Sequence, residues 1–322
     1  MPGNAPGEKK EGAGGIFLHN LSTGGHPLTK KRQKGKATMP TFTNYATLTY
    51  SGGTTNSNTV TGELLQPLTM TKNAVSANYA PGGIVTYSVS LVNNGATALT
   101  GLTLTDDLGA YSPTAGTTLY PLEYNPDSAT LYVDGVLQPP PTVVPGPPMQ
   151  IRDLLIPAGA NAMLIYETRV TGQAPMATGS FIENNVVSSG AGLVEPVRAT
   201  ARIAVQSRPN LTIFKSVDPV NVPENSALTY TFTIENTGNV PAEAIDNVAL
   251  TDNLNPVLTG LTATYNGTPW TAGTHYTYDE ATGAFASVPG QITVPAATYT
   301  RAADGTYITT PGVATVTITG TV

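Results

Sequence analysis

The sequence predicts an all-β fold: two tandem β-sandwiches, a hairpin ahead of them, and an extreme N-terminus with no structure of its own. Three observations predict it. Thr and Val, which favour strands, share the chain with Gly, Asn and Pro, which favour turns. Strict period-two alternation runs through Thr86–Leu91 and again through Thr229–Ile234, the mark of strands buried on one face. The stretch 68–108 (LTMTKNAVSANYAPGGIVTYSVSLVNNGATALTGLTLTDDL) recurs as 211–254 (LTIFKSVDPVNVPENSALTYTFTIENTGNVPAEAIDNVALTDNL), with Lys72 matching Lys215, Tyr87 matching Tyr230 and Asp106 matching Asp252.

A chain of 322 residues has room for about two domains with ordinary cores. With no cysteine, it excludes a disulfide scaffold, Cys-based zinc sites and a Cys nucleophile. It has no run of about 18 apolar residues, so no helical membrane insertion is expected. The net charge of −6 is unevenly shared. Residues 1–38 hold seven bases and two acids; the remaining eight bases and nineteen acids give the body −11. An acidic body of this kind repels nucleic acid and anionic lipid. Only Lys72 and Lys215 remain as lysines in that body, and both ask for an explanation.

Residues 1–38 read as a disordered basic leader. Ile16-Phe17-Leu18 is too short for the apolar region of a signal peptide. Lys34-Gly35-Lys36 can be encoded by a purine-rich stretch like a ribosome-binding site, which makes Met39 the expected natural start. Residues 39–66 read as a hairpin, with strands at 42–50 and 57–65 around Ser51–Asn56. Residues 67–206 and 207–322 are then two Ig-like sandwiches, each with a hairpin turn signal, Asp134-Gly135 and Asn266-Gly267. Farther on, Ile156-Pro157-Ala158 matches Val294-Pro295-Ala296, and Val170-Thr171-Gly172 matches Ile318-Thr319-Gly320.

The copies end differently. After Gly172 the first continues through a closing hairpin, two strands around Gly190–Pro196; after Gly320 the second holds only Thr321 and Val322. The second sandwich is therefore expected to lack its final hairpin, while 39–66 is a hairpin to spare. A missing strand exposes an apolar groove and an unpaired edge, and an isolated hairpin is marginal in water. Both are cured if the hairpin of one molecule completes the C-terminal sandwich of another, by donor-strand complementation that propagates head to tail. Phe42, Asn44, Ala46 and Leu48 would face inward, with Val60 on the second arm. Insertion into the same chain, or a loosely attached edge hairpin, are the alternatives.

Lys215, then LTYTFTIENTGN, then LTDNL resembles the bacterial surface repeat known as domain of unknown function eleven. The resemblance covers 68–322, with 40–66 as a detached piece. It implies Ig-like sandwiches in surface, fibre or spore-appendage proteins of Gram-positive bacteria, related to pilin-type domains that form internal isopeptide bonds.

Alternation puts Lys72 on one face with Leu68 and Met70, and Lys215 on one face with Leu211 and Ile213. Asp106 and Asp252 lie on the apolar faces of middle strands, and Asn184 on that of the closing strand beside Ile182 and Val186. This is the set needed for a Lys–Asn isopeptide bond. Burial drives a lysine toward a neutral, nucleophilic amine and an aspartic acid toward a neutral proton donor. The amine attacks the Asn carbonyl, the acid shuttles protons, and ammonia leaves, once per site rather than with turnover. The expected bonds are Lys72–Asn184 (or Asn185) with Asp106 inside the chain, and Lys215–Asn44 with Asp252 between chains. The alternative is that both lysines snorkel and both Asp residues start turns.

Nothing points to an enzyme, a cofactor or a metal. His275 is the body's one histidine, and HExxH, GxSxG, P-loop and DxDxDG patterns are missing. Trp270 with Tyr265, Tyr276 and Tyr278 reads as sheet packing or as a sugar-stacking patch. The expected function is a structural subunit of a cell-surface or spore-surface filament whose partner is itself. The competing expectation is a monomeric surface adhesin. Neither Met1 nor Met39 opens a signal peptide, so an extracellular location leaves the export route open.

Overall fold

The computed structural model describes residues 41–190 and 192–322; the expectations for the basic leader and for a start at Met39 lie outside them. Strands dominate, and the one helical element among the described residues is a single 3-10 turn, Ala244–Asp246.

The hairpin comprises Thr41–Asn44 (β1), Thr47–Tyr50 (β2), Gly53–Asn56 (β3) and Val60–Glu63 (β4). β1 pairs with β4 and β2 with β3; among the described residues none of the four pairs with another sheet. Tyr50 faces Gly53, so the turn is the two residues Ser51-Gly52 rather than the expected loop Ser51–Asn56, and the second arm begins four residues early. Two-residue turns match the right-handed twist of the arms, and Gly53, at φ 140°, supplies the backbone freedom next to it. The register advances by one between Asn44–Val60 and Thr47–Asn56, because Asn58 and Thr59 together oppose Tyr45.

The first sandwich is built from Leu68–Ala74 (β5), Ile84–Asn93 (β6), Leu99–Asp106 (β7), Met149–Ile156 (β8), Asn161–Val170 (β9), Phe181–Ser189 (β10) and Arg198–Val205 (β11). One sheet orders β5-β6-β9 and then the short hairpin of Thr130–Val133 and Val136–Leu137. The other orders Thr142–Val144, β8, β7, β10, β11 and Asn78–Tyr79. Inward residues at every second position, among them Leu91, Leu104, Leu164 and Ile203, form one core between the sheets. Asp134-Gly135 makes the two-residue turn its composition calls for, with both residues at positive φ.

The second sandwich comprises Leu211–Asp218 (β12), Ala227–Asn236 (β13), Thr251–Asn253 (β14), Thr259–Tyr265 (β15), Tyr276–Asp279 (β16), Ala284–Ser287 (β17), Thr298–Arg301 (β18), Tyr307–Thr310 (β19) and Gly312–Thr321 (β20). Its larger sheet orders β12-β13-β20-β15, the counterpart of β5-β6-β9, and the facing sheet has three short strands, β14-β17-β16. Its core holds Phe232, Ile292, Val316 and Ile318. The β18–β19 hairpin reaches back to the first sandwich, where the Tyr307 amide donates to the Gly172 carbonyl at 2.8 Å. The Thr178 hydroxyl donates to the Asn239 carbonyl at 2.7 Å, a second tie between the two.

A buried asparagine does the same work in both copies. Asn93 and Asn236 end equivalent strands; each donates its amide to backbone carbonyls about 60 residues on, Ile156 and Pro157 in one and Pro295 in the other. Each side-chain oxygen accepts the amide of the glycine two residues on, Gly95 or Gly238. Buried polar groups satisfied in this way hold the sheets in register at little net cost.

Candidate functional site

Lys72 leaves the middle of β5 on its apolar face, pointing between the sheets, because its neighbours at alternate positions are the buried Leu68 and Met70. Asp106 ends β7 on the opposite sheet. Their side chains are both wholly buried and meet across the core, Nζ to Oδ2 at 2.6 Å. The Tyr166 hydroxyl of β9 donates to the same Oδ2, and the Leu108 amide donates to Oδ1 at 2.9 Å. Tyr87 and Tyr166 are direct cross-strand partners with ring centroids 5.7 Å apart. The ammonium lies 4.9 Å from the first ring's centroid and 5.9 Å from the second's.

Burial lowers the pKa of the Lys72 amine, with the Asp106 carboxylate pulling the other way. Burial raises the pKa of Tyr166, reinforced by the neighbouring Asp106 charge, so the phenol stays a proton donor. Tyr87 is likewise raised by burial.

Asn184 is fully buried on β10, the strand that pairs with β7 through Val186 and Asp106. It stands diagonally from Asp106 on the same face of that sheet. Its carbonyl oxygen accepts the Gly109 amide at 3.2 Å, while its Nδ2 and the Tyr87 hydroxyl are buried without a hydrogen-bond partner among the described residues. A buried donor left unmade costs about 1–3 kcal/mol, so this amide is held at a cost. Chemically, the arrangement is a carbonyl polarised by a backbone N–H, an amide nitrogen held by nothing, and an amine whose proton an adjacent carboxylate can take. Asn185 faces the other way: its Nδ2 donates to Asp107 at 2.8 Å and its Oδ1 accepts the Thr200 hydroxyl at 2.6 Å. Of the two asparagines, Asn184 is the one buried on the inward face of β10, diagonal to Asp106.

In the second sandwich Lys215 of β12 pairs with Asp252 of β14 at 2.5 Å. Lys215 sits over Tyr230 and Phe232, 4.5 Å and 5.4 Å from the ring centroids. The pair is open: the lysine side chain is 41% exposed and the aspartate 18%. Whereas Met70 is buried, its counterpart Ile213 is 52% exposed. The cause lies in the neighbours. In the first sandwich β10 pairs with the outer edge of β7, and β11 packs against β5. Among the described residues β14 pairs with β17 alone, and nothing covers β12.

Strand register revises one sequence equivalence. Ile318 faces Tyr230 just as Tyr166 faces Tyr87, so its counterpart is Tyr166 and not Val170. The second site therefore has a methyl-bearing chain where the first has a phenol. Sequence reasoning missed Tyr166 for this reason: comparing the copies shows no shared tyrosine there.

Asn44 lies in β1 opposite Val60, and the hairpin's apolar side chains are open, with Phe42 50%, Leu48 64% and Val60 54% exposed. Ala46 follows β1 and its carbonyl accepts the Ser57 amide at 2.8 Å.

Trp270 stacks with Tyr265 and with His275, ring centroids 5.6 Å and 6.1 Å away. Tyr276 stacks on Phe285 in the core, and the Tyr278 hydroxyl is bonded to the Leu258 backbone. His275 Nδ1 accepts the Thr271 amide at 2.9 Å. Among the described residues, no three His, Asp or Glu side chains are grouped to hold a metal, and no helix is long and apolar enough to cross a membrane.

The sequence matches no protein-family model and no curated protein, so the resemblance to the surface-repeat family has no family match behind it. Among solved structures, the chain is similar to the major pilin subunit BcpA of Bacillus cereus (12% identity, 84% of this chain and 73% of that one, TM-score 0.32). It is similar to the pilus backbone RrgB of Streptococcus pneumoniae (13% identity, 76% and 55%, TM-score 0.29). It is also similar to the collagen-binding subdomain of the Enterococcus faecalis surface protein ACE (13% identity, 42% and 95%, TM-score 0.29).

Proposed function

We propose that this protein is the subunit of an extracellular fibre on a cell or spore surface, joined head to tail when the hairpin β1–β4 of one copy completes the second sandwich of the next. One observation carries the proposal: among the described residues the same edge is covered in the first sandwich and open in the second, while a hairpin with exposed apolar side chains pairs with no other sheet. Burying Phe42, Leu48 and Val60 against Ile213 and Val217 is worth about 1.5–3 kcal/mol per side chain, to which strand pairing adds. The contact is heterologous and so propagates.

The first sandwich is proposed to close covalently. The Lys72 amine attacks the Asn184 side-chain carbonyl; the new C–N bond replaces the old one, and the proton given up by the amine leaves with the nitrogen as ammonia. Asp106 carries that proton and the Gly109 amide steadies the carbonyl oxygen. Lys215 and Asp252 would do the same with Asn44 of the arriving hairpin. Both reactions are single-turnover.

Negative-stain microscopy of the purified chain tests the proposal. Fibres lost on Phe42→Asp/Leu48→Asp support it, and an SDS-resistant ladder lost on Asn44→Ala supports the covalent joint. A compact monomer at high concentration overturns it in favour of a monomeric surface adhesin.

A further inference from the structure

The order of pieces along the chain fixes more than the existence of a joint. Hairpin β10–β11 closes the first sandwich, and five residues later, after 206–210, the chain enters β12 of the second. Hairpin β1–β4 is followed after four residues, 64–67, by β5 of the first. Each hairpin thus stands directly ahead of a sandwich. The one whose seat is seen closes the sandwich before it, not the one after it.

Resting on the head-to-tail reading, we infer that the joint between two copies repeats the joint inside each copy, strand for strand. β1 and β2 run antiparallel along the free edge of β14, as β10 runs along β7, and β4 lies over β12, as β11 lies over β5. The register follows from the internal template. Val186 opposes Asp106 and Val187 opposes Thr105, so Ala46 opposes Asp252 and Thr47 opposes Thr251. Asn44 then takes the place of Asn184. Its cross-strand partner in the hairpin is Val60, where Asn184 has Ala201.

One position shows the fit by volume. Where the template pairs Ile182 with Ile203, the hairpin pairs Phe42 with Gly62, and the Phe42 ring lies over the glycine so closely that a Cβ there would sit 2.4 Å from its Cζ. One large ring replaces two aliphatic side chains. Insertion into the hairpin's own chain would need the opposite order, a hairpin closing the sandwich that follows it. The fibre is therefore a uniform string of sandwiches in which every joint has the same geometry, alternately within and between chains.

Disulfide trapping tests the register in a chain free of cysteine. Thr47, Thr43 and Thr251 are all exposed, so the double variants Thr47→Cys/Thr251→Cys and Thr43→Cys/Thr251→Cys leave the fold intact. The first pair is opposed in the inferred joint; the second is four strand residues out, roughly 13 Å, beyond disulfide reach. The expected result on non-reducing gels is a ladder of multimers for the first pair and none for the second. A ladder from the second pair alone, or fibres that neither pair cross-links, overturns the register and leaves the head-to-tail reading standing. A disulfide confined to monomers, or neither fibres nor multimers, overturns both.

Discussion

The two lysine–aspartate pairs are the same residues on the same strands in two environments. Lys72 and Asp106 are sealed between two rings and a closing hairpin, whereas Lys215 and Asp252 stand at an uncovered edge. The strands that carry them are legible from sequence alone; what separates the two sites is whether a hairpin lies across them. A charge pair is thus a core device or a surface pair depending on an element more than 70 residues away from Asp106 in one sandwich, and not supplied by the described residues in the other.

The largest difference is expected in assembly. Phe42→Asp/Leu48→Asp should abolish fibres outright while leaving the unfolding of the first sandwich unchanged, as read by size exclusion and denaturant titration. Asp106→Ala in that monomeric background leaves Lys72 buried without its partner and should cost the first sandwich about 3–5 kcal/mol. Asp252→Ala, at a partly exposed pair, should cost the second about 0–1 kcal/mol. The equivalent apolar positions should split in the same way: Met70→Ala costs about 2–5 kcal/mol, whereas Ile213→Ala costs little in the monomer and weakens assembly instead.

Smaller is the effect of alkali. Burial holds the phenols of Tyr87 and Tyr166 above their usual pKa of 10, so above pH 10 the unfolded chain releases protons that the folded chain keeps. The first sandwich therefore loses stability as pH rises through that range, by about 1.4 kcal/mol per pH unit for each phenol. Before the Lys72–Asn184 bond forms, Lys72, lowered by burial, works in the opposite direction only up to pH 10.5, its unperturbed pKa, since above that both states are neutral; once bonded it does not titrate. Above pH 10.5, Tyr166→Phe should flatten the slope by one proton in denaturant titrations; an unchanged slope would remove the phenol from the buried network. Smallest is Asn185→Ala, which should leave the mass deficit of one ammonia per closed first sandwich in place, where Asn184→Ala restores the full mass by intact-mass spectrometry.

What could be read from sequence follows the physics of each signal. Period-two alternation placed Lys72, Asp106 and Asn184 on inward faces because a pleated strand leaves no choice. The same alternation turns Asn185 to the other face, and the structure shows what occupies it there, Asp107. The Asp134-Gly135 and Asn266-Gly267 turns were legible because two positive φ angles in succession demand such residues. The hairpin tip was not: Ser51 to Asn56 is turn-forming throughout, and sequence alone does not say which two residues turn. Asn93 and Asn236 were missed although Asn-x-Gly recurs in both copies, since their role depends on backbone carbonyls far along the chain. Tyr166 left no repeated signal because Ile318 stands in its place.

The most direct test of strand exchange is complementation between two disabled chains. One carries Phe42→Asp/Leu48→Asp and keeps only the open edge; the other carries Ile213→Asp/Val217→Asp and keeps only the hairpin. Light scattering should find each alone monomeric and their mixture a one-to-one dimer that grows no further. A mixture that stays monomeric, or either chain polymerising by itself, would contradict the account.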